Sequence, residues 1–166
     1  DGGTLQYSAA NQNDYSGRFS TAAVQLYNVD TNGQSVTWAT ALTSSGGALW
    51  KGGAGTLTLT AASTYTGVTG VTAGTLAVSG AGALSTTGTV NVAASGATFD
   101  ISAISASGLT IGGLTGVAGG TVALGGKRLT VGDATSTTFA GGIGGVGGGL
   151  TKQGAGTLAL TGSSTY

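Results

Sequence analysis

Apolar residues recur in this chain at every second position over short runs, and then the pattern stops. Leu57-Thr58-Leu59, Leu76-Ala77-Val78, Val90-Asn91-Val92, Phe99-Asp100-Ile101, Leu109-Thr110-Ile111, Val122-Ala123-Leu124, Leu129-Thr130-Val131 and Leu158-Ala159-Leu160 are such runs. Each sets two apolar side chains on one side of a strand and a small or polar one on the other. Turns rich in Gly, Asn or Ser divide them, for example Gly125-Gly126 and Gly147-Gly148-Gly149. No stretch keeps an apolar i, i+3, i+4, i+7 stripe free of glycine, so helix is excluded as a major element.

A longer pattern overlies these runs. The segment from Leu49 to Tyr65 returns as Leu150 to Tyr166, identical except at Trp50, Gly52, Thr58, Ala61 and Ala62. A fainter copy opens the chain, where Gly3-Thr4-Leu5-Gln6-Tyr7-Ser8 matches Gly55-Thr56-Leu57-Thr58-Leu59-Thr60. The copies start at Gly3, Gly55 and Gly156, which suggests a unit of about 50 residues with a degenerate copy in the middle. Recurrence of one segment points to an array in which each unit contacts mainly its neighbours.

Short strands at this spacing fit a sandwich, a barrel or a solenoid. Three features favour the solenoid: the recurring strand-turn formula, the small outward residues, and the scarcity of two-residue hairpin turns, with Asn32-Gly33 the single example. The expected fold is an all-β parallel β-helix with ~20 to 25 residues per coil, stacked ~4.8 Å apart into a rod about 30 to 40 Å long. Residues 47–166 are expected to form the regular repeat. Residues 1–46 hold most of the Tyr and Asn and are expected to form a less regular segment with an extruded loop or hairpin.

Composition removes several functions. Glycine numbers 35, Pro, Cys, Met and His are absent, and five Lys and Arg balance five acids, all of them Asp. Without a basic patch a nucleic-acid partner is not expected. No metal or cofactor is expected, and no apolar run is long enough for a spanning helix. Absence of cysteine suits the cytosol, and equally a large protein that crosses membranes unfolded, where a premature disulfide would block passage. The chain lacks an initiating Met and stops at Tyr166 where its own template continues with Thr-Gly, so a segment of a longer protein is expected.

The segment Gly149 to Tyr166, and that from Leu49 through Tyr65-Thr66-Gly67 to Ala73-Gly74-Thr75-Leu76, resemble the passenger-associated, autotransporter-associated β-strand repeat. The Lys-x-Gly-Ala-Gly-Thr-Leu core carries the resemblance, which is strong over residues 47–80 and 138–166. The resemblance implies a right-handed β-helical passenger, extracellular, made by type V secretion in a Gram-negative bacterium. It also implies a tether through a C-terminal outer-membrane barrel of the parent, with relatives that are adhesins or biofilm proteins. It implies no catalytic residue.

The candidate sites carry structural readings beside functional ones. Trp50 is replaced by Thr151 in the second copy, so its side chain is expected to point outward, either to stack on a sugar or protein partner or to cover an adjacent coil. Asp30-Thr31-Asn32-Gly33 faintly resembles a calcium loop but lacks the closing Glu, and reads as a turn. Asn11-Gln12-Asn13-Asp14 reads as a solvated loop. Thr56, Thr58 and Thr60 form an outward row of the kind ice-binding solenoids use, but Ala159 breaks it in the second copy. The sequence thus supports a non-enzymatic structural and adhesive stalk that contacts neighbouring repeats and, at its surface, glycans or proteins of a host or neighbouring cell. A carbohydrate- or ice-binding surface is the alternative, and a polysaccharide-active enzyme working through distant Asp residues the third reading.

Overall fold

The alternating runs become short parallel strands that stack in three columns of rungs. The computed structural model describes residues 3–166; the first two residues of the N-terminal segment lie outside it. Face 1 holds eight strands: β1 (Thr4–Gln6), β2 (Leu26–Asp30), β4 (Ala48–Gly52), β6 (Thr69–Val71), β8 (Thr89–Val92), β11 (Gly113–Gly116), β14 (Thr137–Phe139) and β17 (Leu158–Leu160). Face 2 holds six: β3 (Ser35–Trp38), β5 (Thr56–Leu59), β7 (Thr75–Gly80), β9 (Thr98–Ile104), β12 (Thr121–Ala123) and β15 (Gly142–Gly144). Face 3 is a sheet only in the later coils, as β10 (Gly108–Ile111), β13 (Arg128–Gly132) and β16 (Gly149–Gln153). Every strand pair is parallel. The fold is a parallel β-helix, and its eight-stranded face implies a rod of about 34 Å at the usual rung spacing.

Register sets the coil length, which is not constant. A short coil runs from Thr56 to its partner Thr75, and a longer one from Thr4 to Asn28. The long unit expected from the starts of the copies is therefore not a unit of the fold. Gly55 lies on the approach to face 2, whereas Gly3 and Gly156 precede strands of face 1. Two coils plus one further side separate Gly3 from Gly55. The repeated segment is a corner with its flanking strands, and the chain uses it at two different corners of the prism.

Inward side chains form continuous stacks. On face 2, Val36, Leu57, Leu76, Phe99, Val122 and Ile143 lie directly above one another and are buried. On face 1 the stack pairs large residues with small ones. Gly116 is in register with Phe139, and a Cβ on Gly116 would stand 2.6 Å from the Phe139 ring. The ring fills the space the missing side chain leaves, which keeps the interior at native density.

The segment between β1 and β2 departs from the coil pattern. It contains one 3-10 turn, Ser16–Arg18, and an isolated antiparallel bridge between Ser8 and Asn11. Beneath it lies an aromatic cluster in which Phe19 packs 4.9 Å from Trp38 and 5.5 Å from Tyr27. The Trp38 indole N–H donates to the Tyr7 hydroxyl at 2.8 Å, so this buried polar pair is satisfied.

Candidate functional site

The Lys-x-Gly-Ala-Gly-Thr-Leu core has a structural task in both copies. Alternation along β4 sends Leu49 and Lys51 inward and Trp50 outward. Lys51 is fully buried in the stack Val29, Lys51, Val71, Val92. Its ammonium reaches the corner between faces 1 and 2, where it donates to Thr31 Oγ1 at 2.9 Å and to the carbonyls of Gly52 at 3.0 Å, Gly53 at 2.6 Å and Ala73 at 3.0 Å. Three successive coils supply these acceptors. Burial pulls the Lys51 pKa down to about 8, with the Asp30 carboxylate partly opposing the shift.

The second copy repeats the device at another corner. Lys152 follows Ile111 and Val131 in the inward stack of face 3, and its ammonium donates to the carbonyls of Asp133, Gln153 and Gly154. The glycines complete it. Gly53 and Gly154 turn the corner with φ of 78° and 71°, a region a side chain disfavours. Gly55 and Gly156 lie against the backbone of the preceding coil, at Gln34 and Thr135. The motif is a staple of lysine and glycine that closes a coil corner.

The aspartates among the described residues are also accounted for locally. Asp14, Asp30, Asp100 and Asp133 each accept the backbone N–H two residues on, from Ser16, Asn32, Ser102 and Thr135, at 2.7 to 2.9 Å. These are Asx turns, the usual way a short carboxylate stabilises a bend. Asp30-Thr31-Asn32-Gly33 is such a turn, with Asn32 and Gly33 at φ of 47° and 80°. Asp14 does more than the expected solvated loop implied. Its second oxygen accepts the Ala39 N–H at 2.8 Å, and Ser16 Oγ accepts that of Thr40 at 2.9 Å. Partial burial alone would raise the Asp14 pKa, but these hydrogen bonds outweigh it and hold the carboxyl low. Among the described residues no three His, Cys, Asp or Glu side chains gather where they would hold a metal ion. No helix among them is long and apolar enough to cross a membrane.

Three surface features remain. On face 2 the outward residues Ser35, Thr56, Thr75, Thr98 and Thr121 form one hydroxyl column across five coils. The parallel column Thr37, Thr58, Ala77, Asp100 is broken at Ala77. On face 1, Trp50 lies over Gly70 of the next coil, where a Cβ would collide with its six-membered ring. The indole covers an adjacent coil with one side and keeps partial exposure. Beside it runs a groove of about 370 Å³ lined by Thr4, Asn28, Asp30, Gly52, Gly53 and Thr72. A second groove, of about 430 Å³, lies on face 3 and is lined by Ser107, Thr110, Lys127, Arg128 and Thr130.

Comparison with known proteins agrees with the corner motif. The family described as passenger-associated-transport-repeat matches residues 49–78 and 150–166. Over 137 residues the chain is 42% identical to the protein called adhesin BmaC autotransporter of Brucella suis biovar 1 (strain 1330), an alignment covering 77% of this chain and 4% of that protein. No solved structure matches. The two matched segments are those around Lys51 and Lys152 that resemble this repeat in the sequence.

Proposed function

We propose that this carrier of passenger-associated transport repeats is a non-enzymatic adhesive segment of a larger bacterial surface protein, exported by type V secretion and tethered at the outer membrane through its parent. The similarity to an autotransporter adhesin across 77% of the chain is the observation that carries this reading. The physics of the fold supports it. Coils that contact only their neighbours add stability rung by rung and can form in order as a chain emerges. A chain without cysteine has no disulfide to form before export. The aspartates among the described residues are engaged in turns, which supports a surface that holds partners over one that transforms them. Partners are then glycans or proteins of a host or neighbouring cell, and the same stalk would serve cell-to-cell contact in a biofilm.

Two measurements test the reading. Latex beads coated with the whole chain are expected to adhere to cultured epithelial monolayers several-fold more than albumin-coated beads. Antibody against the chain is expected to label intact cells of the bacterium that makes it. Beads no stickier than the albumin control would remove the adhesive role, and label confined to permeabilised cells would remove surface display.

A further inference from the structure

We infer that the face 1 groove beside Trp50 is a binding site for a neutral pyranose, with the indole as stacking platform and Asn28 as its polar partner. The inference rests on the adhesive reading and gives that reading a ligand class. Three observations combine. The Trp50 ring is seated on the bare Gly70 backbone, which fixes its orientation and spares the entropy that a mobile aromatic would lose on binding. A ring held this way offers its free side to the C–H face of a sugar.

Next to it, Asn28 is the residue directly in register with Trp50 on the preceding coil. It is half-buried, yet its amide makes no hydrogen bond to the protein among the described residues, unlike the neighbouring Gln6 and Asn32 amides. An amide presents one acceptor and two donors in a plane, the complement of adjacent sugar hydroxyls. Asp30, two residues on, is aimed by Gln6 at 2.7 Å and by the Asn32 N–H at 2.8 Å, and its carboxylate borders the groove.

Charge chooses the class of sugar. Asp30 is the acidic residue lining this groove, and among the described residues no cation lines it; the Lys51 ammonium is turned to the corner carbonyls. A sialylated or sulfated sugar would meet the Asp30 carboxylate with no cation in the groove lining to pair with. The larger groove on face 3 has the opposite character. It contains Lys127 and Arg128 and no aromatic ring, and both cations are engaged, Lys127 with the Ala106 carbonyl at 3.1 Å and Arg128 with Thr151 at 3.0 Å. Its volume is greater, but it offers no stacking surface.

The test is a fluorescence titration of the whole chain with galactose-, mannose- and N-acetylglucosamine-terminated oligosaccharides. Of the two tryptophans, Trp38 is 1% exposed, so a ligand on the surface changes Trp50 emission. At least one neutral sugar is expected to give a saturable change and to shield Trp50 from acrylamide. Trp50→Thr, the residue the second copy already carries, is expected to weaken binding at least 20-fold by calorimetry with an unchanged circular dichroism spectrum. Asn28→Ala is expected to weaken it at least 5-fold. No saturable response to any neutral sugar would overturn the assignment, as would undiminished binding in Trp50→Thr. Binding confined to acidic sugars and lost in Lys127→Ser/Arg128→Ser would also overturn it. Beads coated with Trp50→Thr separate the two levels: undiminished adhesion sinks this site and leaves the adhesive reading standing, whereas failure of wild-type beads sinks that reading whatever the titration gives.

Discussion

Gly55→Val is expected to destabilise the chain by about 3–5 kcal/mol, from overpacking plus one lost backbone hydrogen bond. A Cβ at Gly55 would overlap the Gln34 carbonyl oxygen and stand 2.7 Å from its carbon. That same oxygen accepts the Thr56 N–H at 2.9 Å, the bond that opens the face 2 ladder between these coils. Neither partner is the flexible end of a side chain, so relief requires separating two rungs. A loss of this size is a large share of the ordinary stability of a domain. It corresponds to a fall in melting temperature of roughly 6–20 °C, read by circular dichroism. Thr58→Val, outward on the same strand, is expected to change stability by no more than about 0.5 kcal/mol. Equal losses from the two variants would mean that the glycine is not a point of coil contact.

Lys51→Met is expected to cost about 1–3 kcal/mol at neutral pH, because it leaves the Gly53 and Ala73 carbonyls without a donor while removing a buried charge. Neither carbonyl accepts another protein hydrogen bond among the described residues. The pH dependence gives a separate reading. The folded pKa of Lys51 is about 8, below its ordinary value of 10.5. Between these values the unfolded chain holds a proton that the folded chain has released. The pH-linked part of the Lys51 contribution therefore rises as pH increases from about 8 to 10.5 and is lost as pH falls back through 8, leaving at neutral pH the part that comes from its hydrogen bonds. Burial raises the phenol pKa of Tyr65 and Tyr7, which lowers stability in alkali, but those groups are present in both chains and cancel in the difference. Denaturant unfolding at a series of pH values should show the gap between wild type and Lys51→Met widening across this window. A variant more stable than wild type at every pH would show the ammonium to be only a burden.

Alternation within strands made the coil strands legible in the sequence, and the exchange of Trp50 for Thr151 between the copies made the outward direction of Trp50 legible. What lies across strands was not, because register depends on corner lengths that change from one coil to the next. The column from Ser35 to Thr121 is invisible along the chain for that reason. The starts of the copies suggested a long unit that the fold does not contain, because a corner staple works at more than one corner. The inward direction of Lys51 follows from the outward setting of Trp50, its neighbour on the same strand. Asn28 left no signal, since its value comes from register with Trp50.

The copies differ at Trp50, Gly52, Thr58, Ala61 and Ala62, none of which is buried, whereas Leu49, Lys51, Leu57, Leu59, Ser63 and Tyr65 are all buried and all retained in the second copy. The repeat is thus kept for folding, and its differing positions are the ones that the proposed binding would use. The most direct test is thermal unfolding of the chain in which these five positions take the second copy's residues: Trp50→Thr, Gly52→Gln, Thr58→Ala, Ala61→Gly and Ala62→Ser. The account predicts the wild-type spectrum and a stability within about 2 kcal/mol of wild type. A loss as large as that of Gly55→Val would contradict it.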